Sequence, residues 1–72
     1  MSINIKDDTI RLGQLLKLAN LVSSGGEAKI RIKAGEVMVN GAVDVRRGAQ
    51  LRAGDRVEMD GRMVVIKAGQ AG

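Results

Sequence analysis

The sequence predicts an α+β domain in which two N-terminal helices pack on a small twisted sheet of about four short strands. Apolar residues recur at helical spacing from Thr9, and a capped helical segment follows near Ser24. After Gly35 the pattern changes to short alternating stretches separated by turn dipeptides. A chain of 72 residues buries only about 60% of its unfolded surface, which supports one small domain. We expect residues 1–72 to form this domain, with a core at about 9–67 and a flexible tail at 68–72.

The first helix is expected to begin at Thr9, with Thr9 or Asp8 as its N-cap. Its apolar face consists of Leu12, Leu15, Leu16, Ala19 and Val22. Gly13 is a poor helix former, so its presence indicates close packing against a neighbouring segment. A brief alternation at residues 3–5 indicates a short edge strand before this helix.

The second helix has both a start and a stop signal. Ser24 and Glu27 have the spacing of a capping box, and Gly35 occupies the expected left-handed position after the last turn. The helix should therefore run from about Gly25 to Ala34. Ala28 and Ile32 should face the core, with Ile30 at its edge.

Two dipeptides predict β-hairpins. Asn40-Gly41 favours a tight turn after a strand in which Val37 and Val39 share a face. Asp60-Gly61 forms the second turn, so that Met59 opposes Arg62 and Val57 opposes Val64. The apolar face of this second hairpin is predicted to comprise Val57, Met59, Val64 and Ile66. Residues 46–48 are expected to form an exposed loop, and residues 52–55 another turn.

Composition excludes several kinds of chemistry. The chain has no Cys and no His, which removes disulfides, zinc fingers and imidazole bases, and no paired base accompanies Ser24. We therefore expect no catalytic residue, metal ion or cofactor, and we predict that the protein is not an enzyme. No apolar run reaches the roughly 18 residues of a membrane span, and the N-terminus lacks a signal-peptide pattern, so we expect a cytoplasmic protein without a membrane partner.

The distribution of charge predicts an anionic partner. The formal net charge is +4. Residues 28–53 contain only two anions, Glu36 and Asp44, against six cations, which are Lys29, Arg31, Lys33, Arg46, Arg47 and Arg52. The chain contains no Phe, Trp or Tyr, and therefore lacks the stacking platforms of many single-strand binders. A bound nucleic acid is therefore expected to be structured.

Several motifs in this order resemble the S4 RNA-binding domain, from about Ile10 to Ile66. They are Leu15-Leu16-Lys17-Leu18-Ala19, Ser24 to Lys29, Gly35-Glu36-Val37-Met38-Val39-Asn40-Gly41 and Gly54-Asp55-Arg56-Val57. The resemblance implies an RNA-binding module whose helix pair and following turn present basic residues to the backbone of folded RNA. The Gly-Gly-Glu-Ala-Lys segment is similar to that of small stand-alone bacterial members, whose roles are often tied to ribosomes. Structured RNA, ribosomal or of another kind, is thus the expected partner.

The resemblance assigns RNA contacts to Lys29, Lys33, Asn40 and Gly41. Many family members have Arg after the capping Ser, where this chain has Gly25, and free backbone N–H groups at Gly25 and Gly26 are expected to replace part of that contact. The basic segment adds further candidates. The complete predicted RNA-binding set is Gly25, Gly26, Lys29, Arg31, Lys33, Asn40, Gly41, Arg46, Arg47 and Arg52.

Simpler interpretations remain open at this stage. The helix cations can form a solvated face, the loop arginines can merely keep the loop soluble, and Asn40 can serve only the positive φ of its turn. The alternative function is a small protein-interaction adaptor that uses Met38, Met63 and Val65 on the less apolar strand faces. A salt-insensitive protein complex without RNA binding would favour that alternative.

Overall fold

The computed structural model describes residues 1–68. The elements in chain order are β1 (Ser2–Ile5), β2 (Ile10–Arg11), α1 (Leu12–Leu18), α2 (Gly25–Lys33), β3 (Met38–Val39), β4 (Ala42–Val43), β5 (Gln50–Leu51), β6 (Arg56–Met59) and β7 (Arg62–Ala68). The tail predicted at 68–72 lies outside the described residues except for Ala68, which ends β7.

Five of the strands form one mixed sheet in the order β1-β7-β6-β3-β4. β1 runs parallel to β7, with Ser2 opposite Val65 and Ile5 opposite Ala68, whereas the other neighbours are antiparallel. The remaining two strands, β2 and β5, form a separate antiparallel pair. The first and last strands of the described chain therefore lie side by side.

This topology corrects the predicted arrangement of two N-terminal helices on about four strands. Two strands precede α1, and the main sheet alone has five. The alternation at residues 3–5 does form an edge strand, but its partner is β7 at the far end of the chain. β2 and β5 have only two residues each, so neither is long enough to produce an alternating pattern in the sequence.

α1 is shorter at both ends than its periodicity predicts. Arg11, not Thr9 or Asp8, is the N-cap, because Ile10 and Arg11 pair with β5 instead of starting the helix. The helix ends at Leu18, so Val22 reaches the core from the connection between the helices. Leu12, Leu15, Leu16 and Ala19 are buried as predicted.

α2 confirms the predicted start and stop signals. Ser24 Oγ accepts the N–H of Glu27 at 3.1 Å, but the Glu27 carboxylate accepts the N–H of Ser23 at 2.7 Å, one residue before the predicted partner. At the other end Gly35 has φ +78°, and the amide of Glu36 donates to the carbonyl of Arg31 at 3.2 Å. These bonds fix both ends of the helix that carries three of the six predicted cations.

Both predicted hairpins are confirmed, including the register of the second. Met59 opposes Arg62 and Val57 opposes Val64, and Asn40 and Asp60 have φ of 53° and 54°. Positive φ at both turn positions matches the right-handed twist of the flanking strands.

The core lies between the two helices and one face of the main sheet. It contains these buried apolar residues: Ile5, Leu12, Leu15, Leu16, Ala19, Leu21, Val22, Ala28, Ile32, Val37, Ala49, Leu51, Val57, Met59, Val64 and Ile66. The prediction that Ile30 lies at the core edge is wrong, since 68% of Ile30 is exposed. Within residues 1–68 no polar or charged residue is buried, so cations and carboxylates remain at the surface.

Candidate nucleic-acid interface

A cleft of about 370 Å³ lies where α1, the start of α2 and the 46–48 loop meet. It is lined by Arg11, Gly13, Gln14, Lys17, Gly25, Arg47 and Gly48. Three of these residues are cations and none is a carboxylate. We call this feature the cationic cleft.

Backbone hydrogen bonds hold the loop against the first turn of α1. The N–H of Leu12 donates to the carbonyl of Ala49 at 2.9 Å, and the N–H of Gly13 donates to the carbonyl of Arg47 at 3.0 Å. The loop thus satisfies amides that lack partners within the helix. A Cβ at Gly13 would lie 2.8 Å from Arg47 Cγ, so glycine allows the Arg47 side chain to lie against the helix. The close packing predicted at Gly13 is confirmed.

α2 extends the positive surface away from the cleft. Gly25, Lys29 and Lys33 are spaced four residues apart, so they share one face of the helix. Both lysines are exposed, and neither is in an ion pair within the described chain. The same holds for the three cations of the cleft. We call these five cations, Arg11, Lys17, Arg47, Lys29 and Lys33, the cationic track.

Arg31 is on the same helix but faces carboxylates. Its Nη2 donates to the two carboxylate oxygens of Asp60 at 2.6 and 2.7 Å, and its Nε donates to Glu36. The Glu27 carboxylate, one helical turn earlier, lies 3.8 Å from Nη1. The hydrogen bonds to Asp60 and then to Glu36 raise the pKa of Arg31 above its ordinary value. Arg31 therefore joins α2 to the β6–β7 turn, and its charge is balanced within the protein.

The remaining predicted arginines, Arg46 and Arg52, lie outside the cationic cleft, unlike Arg47. Arg46 forms a two-pronged pair with Asp44, with Nε to Oδ1 at 3.1 Å and Nη2 to Oδ2 at 3.0 Å, and its hydrogen bond lowers the pKa of the Asp44 carboxyl. Arg52 lies at a separate depression that also contains Asp7 and Asp8. Neither residue lines the cationic cleft.

The Asn40-Gly41 turn lies outside the cationic cleft, and its side-chain amide is occupied internally. Asn40 Oδ1 accepts the N–H of Arg56 at 2.9 Å, and Nδ2 donates to Asp55 Oδ1 at 3.1 Å. Asp55 in turn accepts the N–H of Arg52 at 2.8 Å through its other oxygen. Asn40 thus ties the β3–β4 turn to the start of β6, while Gly41 has open space around its Cα.

Sequence reasoning missed Arg11, Gln14 and Lys17. Gln14 and Lys17 are three residues apart on the side of α1 away from its buried leucines, and Arg11 is the residue just before the helix. The helical spacing of these polar residues was a usable signal. Their closeness to Arg47 could not be predicted from the sequence, because it depends on the packing of a loop some thirty residues later in the chain.

Two kinds of feature are absent from residues 1–68. No helix there is long and apolar enough to cross a membrane. No group of three or more His, Cys, Asp or Glu side chains in that range is placed to hold a metal ion.

Known proteins are similar to this chain in sequence and in fold. A model of the S4 domain matches residues 3–67. The probable ribosome maturation protein RlbA of Bacillus subtilis (strain 168) is 49% identical over 59 residues, which cover 82% of this chain and 83% of RlbA. The putative RNA-binding protein YbcJ of Escherichia coli (strain K12) is 40% identical over 63 residues, covering 88% and 90% of the two chains. The solution structure of E. coli YbcJ, described as revealing an ALFAL motif involved in RNA-binding, matches with a TM-score of 0.69 at 38% identity, over 94% of this chain and 85% of that one.

Proposed function

Because the chain belongs to the S4 domain family, we propose that it is a non-catalytic RNA-binding protein that holds the phosphate backbone of a folded RNA along the cationic track. The observation that carries this proposal is the grouping of five cations without carboxylate partners on one cleft and the adjoining face of α2. Phosphate contacts of this kind provide affinity and position the protein without reading sequence.

The comparison proteins support this class of ligand. YbcJ is named as a putative RNA-binding protein, and RlbA as a probable ribosome maturation protein. We infer that the ligand of this chain is a folded RNA of the ribosome or of its precursors, which would place the protein in the cytoplasm.

The predicted residues differ in how well they are placed to contact RNA phosphate. Gly25 lines the cationic cleft, and Gly26 follows it in the first turn of α2, where backbone amides lack helical acceptors. Arg31 and Arg46 are less suited to bind phosphate, because carboxylates already balance their charges. We propose that Asn40 shapes its turn, and that Gly41 and Arg52 make at most peripheral contacts.

The test is an NMR titration of labelled protein with an RNA hairpin of about 20 base pairs, at low and moderate salt. Contact of five cations with phosphate predicts a slope of log K against log salt of about −4.5, if the coefficient of about 0.9 per phosphate for duplex DNA applies. Lys29→Glu combined with Lys33→Glu should remove most of the binding while the protein remains folded.

A matched control uses the opposite face of the main sheet. Arg56→Glu combined with Lys67→Glu also lowers the net charge from +4 to zero, but these exposed residues lie away from the cleft. We expect this control to bind the hairpin far more tightly than the α2 variant does. Equal losses in the two variants would show that only net charge matters and would contradict the assignment of the track.

The adaptor alternative receives little support from the sheet surface. Met38 and Met63 are both opposite Glu58 in the strand register, so a carboxylate separates them. Val65 is opposite Arg56. Charged side chains thus interrupt the apolar patch that the alternative requires.

A further inference from the structure

A second and larger cleft, of about 700 Å³, lies beside the cationic cleft. It is formed by α1, the end of β1 and the segment that follows β1. Gln14 and Lys17 line both clefts, so the two adjoin each other along α1. A ligand that occupies one cleft therefore lies next to the other.

The lining of this second cleft is chemically unlike that of the first. Ile10 and Leu18 provide apolar wall, and Leu18 is 52% exposed although it is a large aliphatic residue. Gln14 brings a side-chain amide whose NH2 group can donate, while its Oε1 accepts the N–H of Arg11 at 3.4 Å. Asp7 adds an acceptor at the same surface. An apolar wall with a few polar groups and this volume is typical of a site for a small organic group.

Resting on the proposed function, we propose that this second cleft receives one unpaired nucleotide of the RNA whose backbone lies in the cationic cleft. Lys17 is at the junction, where it can hold the phosphate next to the inserted nucleotide. The apolar wall would cover a face of the base, and the Gln14 amide and the Asp7 carboxylate would bind its edge. A base within a duplex already has both faces stacked and its edge paired, so only an extruded base can enter.

A nucleotide site in this cleft would give the chain a preference among folded RNAs. The chain would favour a helix interrupted by a bulge or an unpaired residue over a continuous helix. This selectivity would arise without an aromatic side chain, since the chain has none. Aliphatic contact and amide hydrogen bonds would take the place of aromatic stacking.

The experiment compares three kinds of RNA hairpin with the same stem by fluorescence anisotropy. One is fully paired, one carries a single bulged nucleotide, tested in turn with each of the four bases, and one carries an abasic site at the bulge. We expect about tenfold tighter binding of at least one bulged hairpin than of the paired one, as a base contact of about 1.4 kcal/mol would give. The abasic hairpin should lose most of this preference, because it bends the stem similarly but has no base to insert.

Two protein variants test whether the preference for bulged RNA arises in the second cleft. Leu18→Gln should reduce the bulge preference to about twofold or less, since the wall of the cleft becomes polar. Met63→Gln is the matched control, because Met63 is a similarly exposed apolar residue at 44% and lies on the far face of the main sheet. It should keep the full preference.

The outcomes separate this inference from the proposed function. Equal affinity for paired and all bulged hairpins, with salt-dependent binding retained, would overturn the nucleotide site and leave the cationic track standing. A bulge preference that survives in Leu18→Gln, or in the abasic hairpin, would also overturn it. Failure of every hairpin to bind would overturn both proposals.

Discussion

Gly25→Arg is expected to strengthen RNA binding. Gly25 is the first residue of α2 and lines the cationic cleft, and a Cβ built there has no atom within 4 Å. A side chain can therefore be added without displacing any neighbour. The substitution also restores the arginine that many family members carry after the capping serine.

The size of the effect follows from counterion release. A sixth phosphate contact should steepen the slope of log K against log salt from about −4.5 to about −5.4, and tighten binding about fivefold near 0.15 M salt. Stability should change little. Replacing glycine in a helix gains up to about 0.8 kcal/mol, while a cation near the N-terminus costs about 0.3–1 kcal/mol.

The assay is fluorescence anisotropy with a labelled RNA hairpin between about 50 and 200 mM salt. Gly25→Gln is the matched control, because it adds a side chain of comparable length without charge. If phosphate instead approaches the bare amides of Gly25 and Gly26, then both substitutions should weaken binding. An unchanged slope in Gly25→Arg would refute the reasoning, since it would mean that no RNA phosphate comes near the start of α2.

Three further substitutions test other contacts. Gly13→Ala should change the free energy of unfolding by less than about 1 kcal/mol, because gained helix propensity opposes the close approach to Arg47, yet it should weaken hairpin binding severalfold as the arginine is displaced. Arg31→Met should lower Tm in calorimetry, because Asp60 loses a bidentate partner, while the salt slope of RNA binding stays unchanged. Asn40→Ala should cost about 2 kcal/mol in urea denaturation through positive φ and two lost hydrogen bonds, and Asn40→Gly should cost less because it removes the φ penalty. An Asn40→Ala protein as stable as the parent would show that the side-chain bonds contribute nothing.

The features that could be predicted are those whose causes lie close together in the chain. Ser24 and Gly35 fixed the ends of α2, and the Asn40-Gly41 and Asp60-Gly61 dipeptides fixed two hairpins, because capping and positive φ are properties of a few adjacent residues. The family predicted from such motifs is confirmed by the match over residues 3–67.

The features that could not be predicted depend on distant partners. The pairing of β1 with β7 joins the two ends of the described chain, and no local pattern specifies it. Arg31 was counted among the RNA-binding cations because Asp60, its main partner, is 29 residues away in the chain. Of the three cations in the cationic cleft only Arg47 was predicted, for the same reason: Arg11 and Lys17 meet Arg47 only after the 46–48 loop docks on α1.

The parallel pairing of β1 with β7 also bears on how the chain folds. β1 precedes the other strands of the described residues, and its hydrogen-bonding partner β7 is the last of them to be synthesised. Contacts between segments so far apart close slowly, because the entropy of joining the ends must be overcome before any pairing energy is gained. The helices and the two hairpins can form early, while the β1 edge must wait for β7. Completion of the sheet is thus expected to be the late step of folding, and until then the edge of β7 is open to pairing with another chain.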